Sequence, residues 1–225
     1  NNIKEAIYKK GHLLSSVSNA RLFDEFCKIF LNGMAEKNFN KLVSFGLNKY
    51  LVSTNLNGCE FSNQLIIEAL RNTDKRIKNN QSITPGFLIA ALLWPQLIKK
   101  SLKGNEINLK KFFRSMDSIL RNQQKITAIP RKFHTYIKDI WVLQLKLHSR
   151  IGRQPYKTLK HPRFRAAYDF LLIREKATAK TKDLGFWWTE FQKNNEDLKK
   201  KLINDLKKNN LEESSKIFGF SKELR

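Results

Sequence analysis

An all-α fold is predicted by three features of this 225-residue sequence. Apolar residues recur at helical spacing in most segments, and no segment alternates at period two with β-branched enrichment. Chain-breaking residues are also scarce, with nine glycines and five prolines against 16 phenylalanines. With 41% hydrophobic residues at this length, the chain can bury a core without disulfide or metal staples.

The first helix is marked by Leu22, Phe23, Phe26, Cys27 and Phe30, a fully apolar stripe that belongs to a core. Residues 38–57 are mixed and interrupted at Gly46, with Gly58 following. The helical period resumes with Phe61, Leu65, Ile66, Ala69 and Leu70. Residues 78–82 are polar, and Thr84-Pro85 then offers an N-cap with proline at the first helical position. The helix from Pro85 to Lys99 is apolar on most faces and so deeply buried. Pro95 within it lacks a backbone donor, which predicts a kink or break near Trp94.

Lys103-Gly104-Asn105 reads as a loop. From Leu109 to Gln123 a basic amphipathic helix turns Phe112, Phe113, Met116 and Ile119 inward. After Pro130, Phe133, Ile137, Ile140, Trp141 and Leu145 mark another helix that ends before Gly152. Pro162 starts a further one in which Phe164, Tyr168, Leu171 and Leu172 share a face. Trp187 and Trp188 are about 100° apart on a helix, so they are expected to pack against different neighbours rather than in one core. Beyond Gln192 aromatic residues thin out, and Leu198, Leu202 and Leu206 predict one marginal helix followed by disorder.

Charge is the main functional signal. Lys and Arg number 43 against 20 Asp and Glu, a formal charge of +23, which calls for a polyanionic partner: nucleic acid first, an anionic membrane surface second. Cys27 and Cys59 lie far apart, with no C-x-x-C pair, so neither zinc nor a disulfide framework is indicated and a reducing cytoplasm fits. The longest apolar run, Phe87 to Ile98, is too short to span a bilayer, so a soluble protein with no transmembrane segment is expected. The chain opens on Asn1 with no leader, which reads as a fragment of a longer product.

Catalytic signatures are missing from the sequence. There is no D-x-D pair to bring carboxylates onto magnesium, no G-x-S-x-G and no Gly-rich phosphate loop. Asp24, Glu25, Asp74, Asp117, Asp139 and Asp169 are scattered and read as solvated charges or local ion pairs. His12, His134, His148 and His161 have no metal-ligand spacing, and His161 beside Pro162 reads as a turn or helix-start residue. Neither catalytic nor metal-binding residues are predicted, so binding is favoured over catalysis.

The binding signal lies between Arg131 and Arg165. There Arg131, Lys132, Lys138, Lys146, Arg150, Arg153, Lys157, Lys160, Arg163 and Arg165 face a single acid, Asp139. Arginine suits bidentate grip on phosphate. Gly152 and Pro155 place Arg150, Arg153, Tyr156 and Lys157 in or beside a loop, where Tyr156 could stack on a base. The bland alternative is that the lysines form a wet helix face and the aromatics form core.

Several blocks occur in an order that resembles the bacterial poly(A) polymerases. They are Ala20-Arg-Leu-Phe-Asp-Glu25, Asn72-Thr-Asp-Lys-Arg76, Phe87-Leu-Ile-Ala-Ala-Leu-Leu-Trp-Pro95 and Ala128-Ile-Pro130. Asp139-Ile-Trp-Val-Leu-Gln144, His161-Pro-Arg-Phe-Arg-Ala-Ala-Tyr-Asp169 and Trp187-Trp-x-Glu-Phe-Gln192 follow, so the resemblance covers about Ala20 to Gln192. It implies the helical neck and body of an enzyme that adds AMP from ATP to RNA 3′ ends, with the nucleotidyltransferase head absent. On that pattern residues 1–75 hold the end of the neck and the start of the body. Residues 76–192 hold the RNA-binding body, and 193–225 a Lys-rich, partly disordered helix and tail.

The same resemblance implies that ATP and Mg²⁺ are bound by the head, so that no cofactor belongs to this chain and the chain alone is inactive. It makes Arg21 and Glu25 scaffold near the nucleotide site. The implied partners are single-stranded RNA 3′ ends, the chain's own catalytic head and RNA-decay proteins. The Lys-rich end with Phe218-Gly-Phe220 departs from the long Arg-rich tail common in the family. Two alternatives stay open: a tRNA-binding body of a CCA-adding nucleotidyltransferase, and a basic protein- or membrane-interaction scaffold.

Overall fold

A computed structural model describes residues 2–53, 60–104, 106–178 and 182–208; Gly58, Cys59 and Phe218-Gly-Phe220 lie outside these. The described chain is built of helices. α1 (Asn2–Lys10) leads through a 3₁₀ segment (Gly11–Ser16) to α2 (Asn19–Phe30) and α3 (Ala35–Ser44). α4 (Glu60–Lys78), α5 (Pro85–Ser101), α6 (Leu109–Gln124) and α7 (Arg131–Lys146) follow. After them come α8 (Gln154–Leu159), α9 (Phe164–Thr178), α10 (Lys182–Lys193) and α11 (Glu196–Lys208).

The predicted stripes become two cores. The larger gathers α2 to α7 and the Phe170 and Ile173 side of α9. The smaller joins Leu143 and Leu147 with Phe164, Tyr168 and Leu171 of α9, Trp187, Trp188 and Phe191 of α10, and Ile203 of α11. α9 is therefore the wall between the cores. The larger core runs from Leu22 to Ile173 and so spans residue 75, the boundary between the first two segments of the sequence pattern, which falls inside α4. α11 docks through Ile203, with Leu202 and Leu206 partly buried beside it.

α5 shows why propensity is a weak guide inside a core. It runs on through Pro95, without the break that the sequence offered as one of two outcomes beside a kink, because residues 86–94 and Leu97, Ile98 and Ser101 are all buried. Packing on this scale outweighs the roughly 3 kcal/mol that an interior proline costs a helix. The buried Trp141 indole of α7 donates to the Ala90 carbonyl of α5 at 2.9 Å, fixing the two helices against each other.

α3 lies where the sequence reads as mixed, although Ala35, Phe39, Leu42 and Val43 recur at helical spacing, and its N-cap residue, Met34, offers no capping side chain. The cap comes from another element: Asp74 of α4 accepts the Ala35 N–H at 2.6 Å and the Glu36 N–H at 3.1 Å. Asp74 is thus a tertiary cap and not a solvated charge. Asp74→Ala is expected to cost about 1–2 kcal/mol, read as a lower urea midpoint at unchanged m-value.

Other expectations are corrected. Leu102–Lys103 pairs antiparallel with Glu106–Ile107 around Gly104, whose φ of +65° a side chain would strain, so the predicted loop is a minimal hairpin. Phe113 and Leu172 point outward, at 47% and 37% exposure. Trp187 and Trp188 both enter the same core, Trp187 stacked on Phe191 and Trp188 donating to the Leu147 carbonyl at 2.8 Å. The small core wraps α10 from the α9 and α11 sides, which accommodates directions 100° apart.

Candidate nucleic-acid interface

α4 and α9 pack side by side, and their outer edges meet at a carboxylate. Asp169 takes Arg76 Nη1 on Oδ2 at 3.2 Å and pairs through Oδ1 with Arg165 Nε at 3.0 Å. Two turns along, Glu68 binds Lys176 of α9 and Arg71 Nη1, the latter at 3.1 Å, and Glu36 takes Arg71 Nη2 at 2.9 Å. Asp169 was read from the sequence as a solvated charge or a local pair; its link to Arg76 spans 93 residues.

Around these pairs runs a groove made of three joined clefts. The first, about 220 Å³, is lined by Arg76, the 82–84 turn, Phe87, Tyr136 and the Pro162–Asp169 start of α9. Through Arg76, Arg165 and Asp169 it joins a second of about 460 Å³ along α4 and α9. Arg71, Lys75 and Asn79 are shared with a third, of about 340 Å³, at Lys78. Seven cations (Arg71, Lys75, Arg76, Lys78, Arg163, Arg165 and Lys176) line it against four carboxylates (Glu36, Glu68, Asp74 and Asp169). The carboxylates hold several of the guanidiniums in place while leaving the groove net positive.

Local chemistry builds the groove's end. The His161 imidazole accepts the Arg163 N–H through Nδ1 at 3.1 Å, the helix-start role expected of it, and so sets Arg163 at the head of α9. Arg163 lies over the Tyr136 ring, 4.9 Å from its centroid. Gly86 allows Tyr136 this position, since a Cβ there would come within 3.0 Å of the Tyr136 ring and 3.1 Å of Phe133.

The predicted site residues divide. Arg163 and Arg165 are exposed in the groove. Arg131 and Lys132 are exposed at the start of α7, Lys132 one turn before Tyr136, whereas Lys146 is exposed at its far end, about 22 Å along the axis. Arg153, Lys157 and Lys160 are exposed on and beside α8, outside the groove.

Two assignments fail. Arg150 is 7% exposed and lies over the Trp187 ring, at 5.6 Å, so it is part of the small core. Tyr156 sits edge-on to Phe191 at 5.3 Å in the same core, and burial, helped by Glu196, pushes its phenol up. Tyr156 lies on the short helix α8, anchored by buried Pro155 and Thr158, while Arg150 lies in the connection between α7 and α8. Arg21 and Glu25 lie one turn apart on the outer side of α2, where Lys28 holds the Glu25 carboxyl below its usual range.

The sequence pattern missed Arg71, Lys75, Arg76, Lys78 and Lys176. The signal was present as the basic last turns of α4, but it lies some 90 residues from its spatial partners. The acids do not suit Mg²⁺: among the described residues no three His, Cys, Asp or Glu side chains gather to hold an ion, and the groove carboxylates engage cations or helix N–H groups. No described helix is long and apolar enough to cross a membrane.

The family model for the polymerase A arginine-rich C-terminus matches residues 105–217, half of the chain. The chain belongs to the polymerase A family. A second model, the probable RNA and SrmB-binding site of polymerase A, matches residues 1–54. Poly(A) polymerase I of Salmonella typhimurium is 33% identical over 213 residues, covering 90% of this chain and 46% of that protein. Its counterpart in Escherichia coli O157:H7 is 34% identical over the same span and shares. That of Haemophilus influenzae is 33% identical over 212 residues, covering 90% and 47%. This polymerase A chain thus spans about half the length of the curated relatives it matches.

Proposed function

We propose that this chain is the RNA-guiding body of a poly(A) polymerase, holding single-stranded RNA by its phosphates while a nucleotidyltransferase centre outside these residues adds AMP from ATP. The observation that carries the reading is the α4–α9 groove, where the Asn72–Arg76 and His161–Asp169 blocks converge on Asp169 and cations outnumber acids. Arg131 and Lys132 extend this track at one end; Arg153, Lys157 and Lys160 form a second basic edge for a longer strand. ATP and Mg²⁺ belong to the transfer centre on this reading, and the 225-residue chain adds no AMP by itself. The setting is the cytoplasm, in keeping with the free thiol of Cys27. RNA-decay proteins are proposed as partners, since the model matching residues 1–54 describes an SrmB-binding site beside an RNA-binding one.

The test is fluorescence anisotropy with labelled oligo(A). Affinity should fall by about 300-fold or more between about 50 and 200 mM salt if six or more phosphates of the single strand are contacted. Changing Lys75, Lys78, Arg163 and Arg165 together to Gln should weaken binding strongly and flatten the log–log salt slope by about four. An unchanged affinity and slope in that variant would remove the groove from the RNA path.

A further inference from the structure

We infer that the cleft between α5, α7 and the head of α9 is a pocket for one unpaired nucleotide of a bound strand. Its base stacks on the Arg163 guanidinium, and its phosphate lies on Arg76 and Arg165. The inference rests on the RNA-binding reading above and adds to it a preference for unpaired over paired strand.

Three observations converge on the cleft. First, Arg163 is exposed and lies over the Tyr136 ring at 4.9 Å, and both side chains line the cleft, so an aromatic ring backs a cation at its wall. Guanidinium planes and aromatic faces are the surfaces on which splayed RNA bases stack. Second, one carboxylate orients two guanidiniums without saturating them. Arg76 and Arg165 together bring about ten N–H donors to Asp169, which offers about four acceptor positions, so donors remain for a phosphate at the cleft's rim.

Third, the cleft has the size and lining a base needs. About 220 Å³ is far more than a water requires, and Phe87 and Ala166 supply an apolar wall beside the hydroxyls of Ser82 and Thr84. The N-terminal ends of α5 and α9 both open here, and both favour an anion. A duplex can offer the cleft its phosphates but not a base, because its bases are stacked and paired.

Anisotropy on the 225-residue chain tests this with single-stranded oligo(A) and a blunt-ended RNA duplex of matched charge. Arg163→Lys keeps the charge and removes the plane; Tyr136→Leu keeps the charge and removes the backing. Each is expected to weaken oligo(A) binding about tenfold or more while changing duplex affinity less than about twofold. Equal losses on both RNAs, or undiminished oligo(A) binding in Arg163→Lys, would overturn the pocket and leave the RNA-binding reading standing. If the unmodified chain bound neither RNA at about 50 mM salt, both readings would fall.

Discussion

Gly185→Ala is expected to destabilise the protein by about 3–5 kcal/mol, lowering the thermal midpoint by about 10 °C or more. Gly185 lies in the first turn of α10, where its N–H donates to Glu175 Oε1 at 2.7 Å. Glu175 is 8% exposed, so the bond is a buried carboxylate capping a helix start. A Cβ at 185 would collide with that carboxylate and come within 2.7 Å of Leu172 Cδ2. The substitution therefore adds overpacking to the loss of a charge-assisted cap. Phe186→Ala, one residue on, is the control: its ring is 69% exposed, and its loss should change stability by less than about 0.5 kcal/mol.

Acid should unfold this protein through His148, whose folded-state pKa is lowered from 6.5 to about 3. Burial is the largest cause, and the neighbouring Arg174 and Arg150 charges add to it. Because the folded value lies below the unfolded one, the unfolded chain binds the extra proton as pH falls. The penalty begins near pH 6.5, grows by about 1.4 kcal/mol per pH unit and levels off below about pH 3, at roughly 4–5 kcal/mol. Urea midpoints at pH 7, 5 and 4 should show the wild type losing about one proton's worth of slope more than His148→Phe. Parallel pH profiles for the two proteins would exclude this role.

What the sequence exposed, and what it hid, follows from the range of each interaction. α2, α5, α6, α7 and α9 were legible because an apolar stripe repeats within the segment that folds. The start of α3 was not, because its cap is Asp74, some 38 residues away. The break expected at Pro95 weighed a local rule without the burial around α5. At the interface, Arg163 and Arg165 were legible from the His161–Asp169 block. Residue type says nothing of depth: Arg150 is buried, and Tyr156 is partly buried against the small core, the alternative that the sequence leaves open for its aromatics. The α4 cations were missed because proximity along the chain stood in for proximity in space.

Arg174 gives α9 a property that a purely apolar helix would lack. It is 2% exposed, donates to Gln144 Oε1 at 2.9 Å and lies 4.9 Å from the Trp94 ring centroid, while Gln144 in turn donates to the Ala167 carbonyl at 2.9 Å. A helix held by leucines can roll by a fraction of a turn at small cost, but a buried guanidinium held by an amide and an indole among its neighbours allows a single angular setting. Nine residues at 100° each place Arg165 diametrically opposite Arg174. The interior charge thereby acts as a key that clocks the outer one, fixing the azimuth at which Arg165 and Asp169 face Arg76 across the groove.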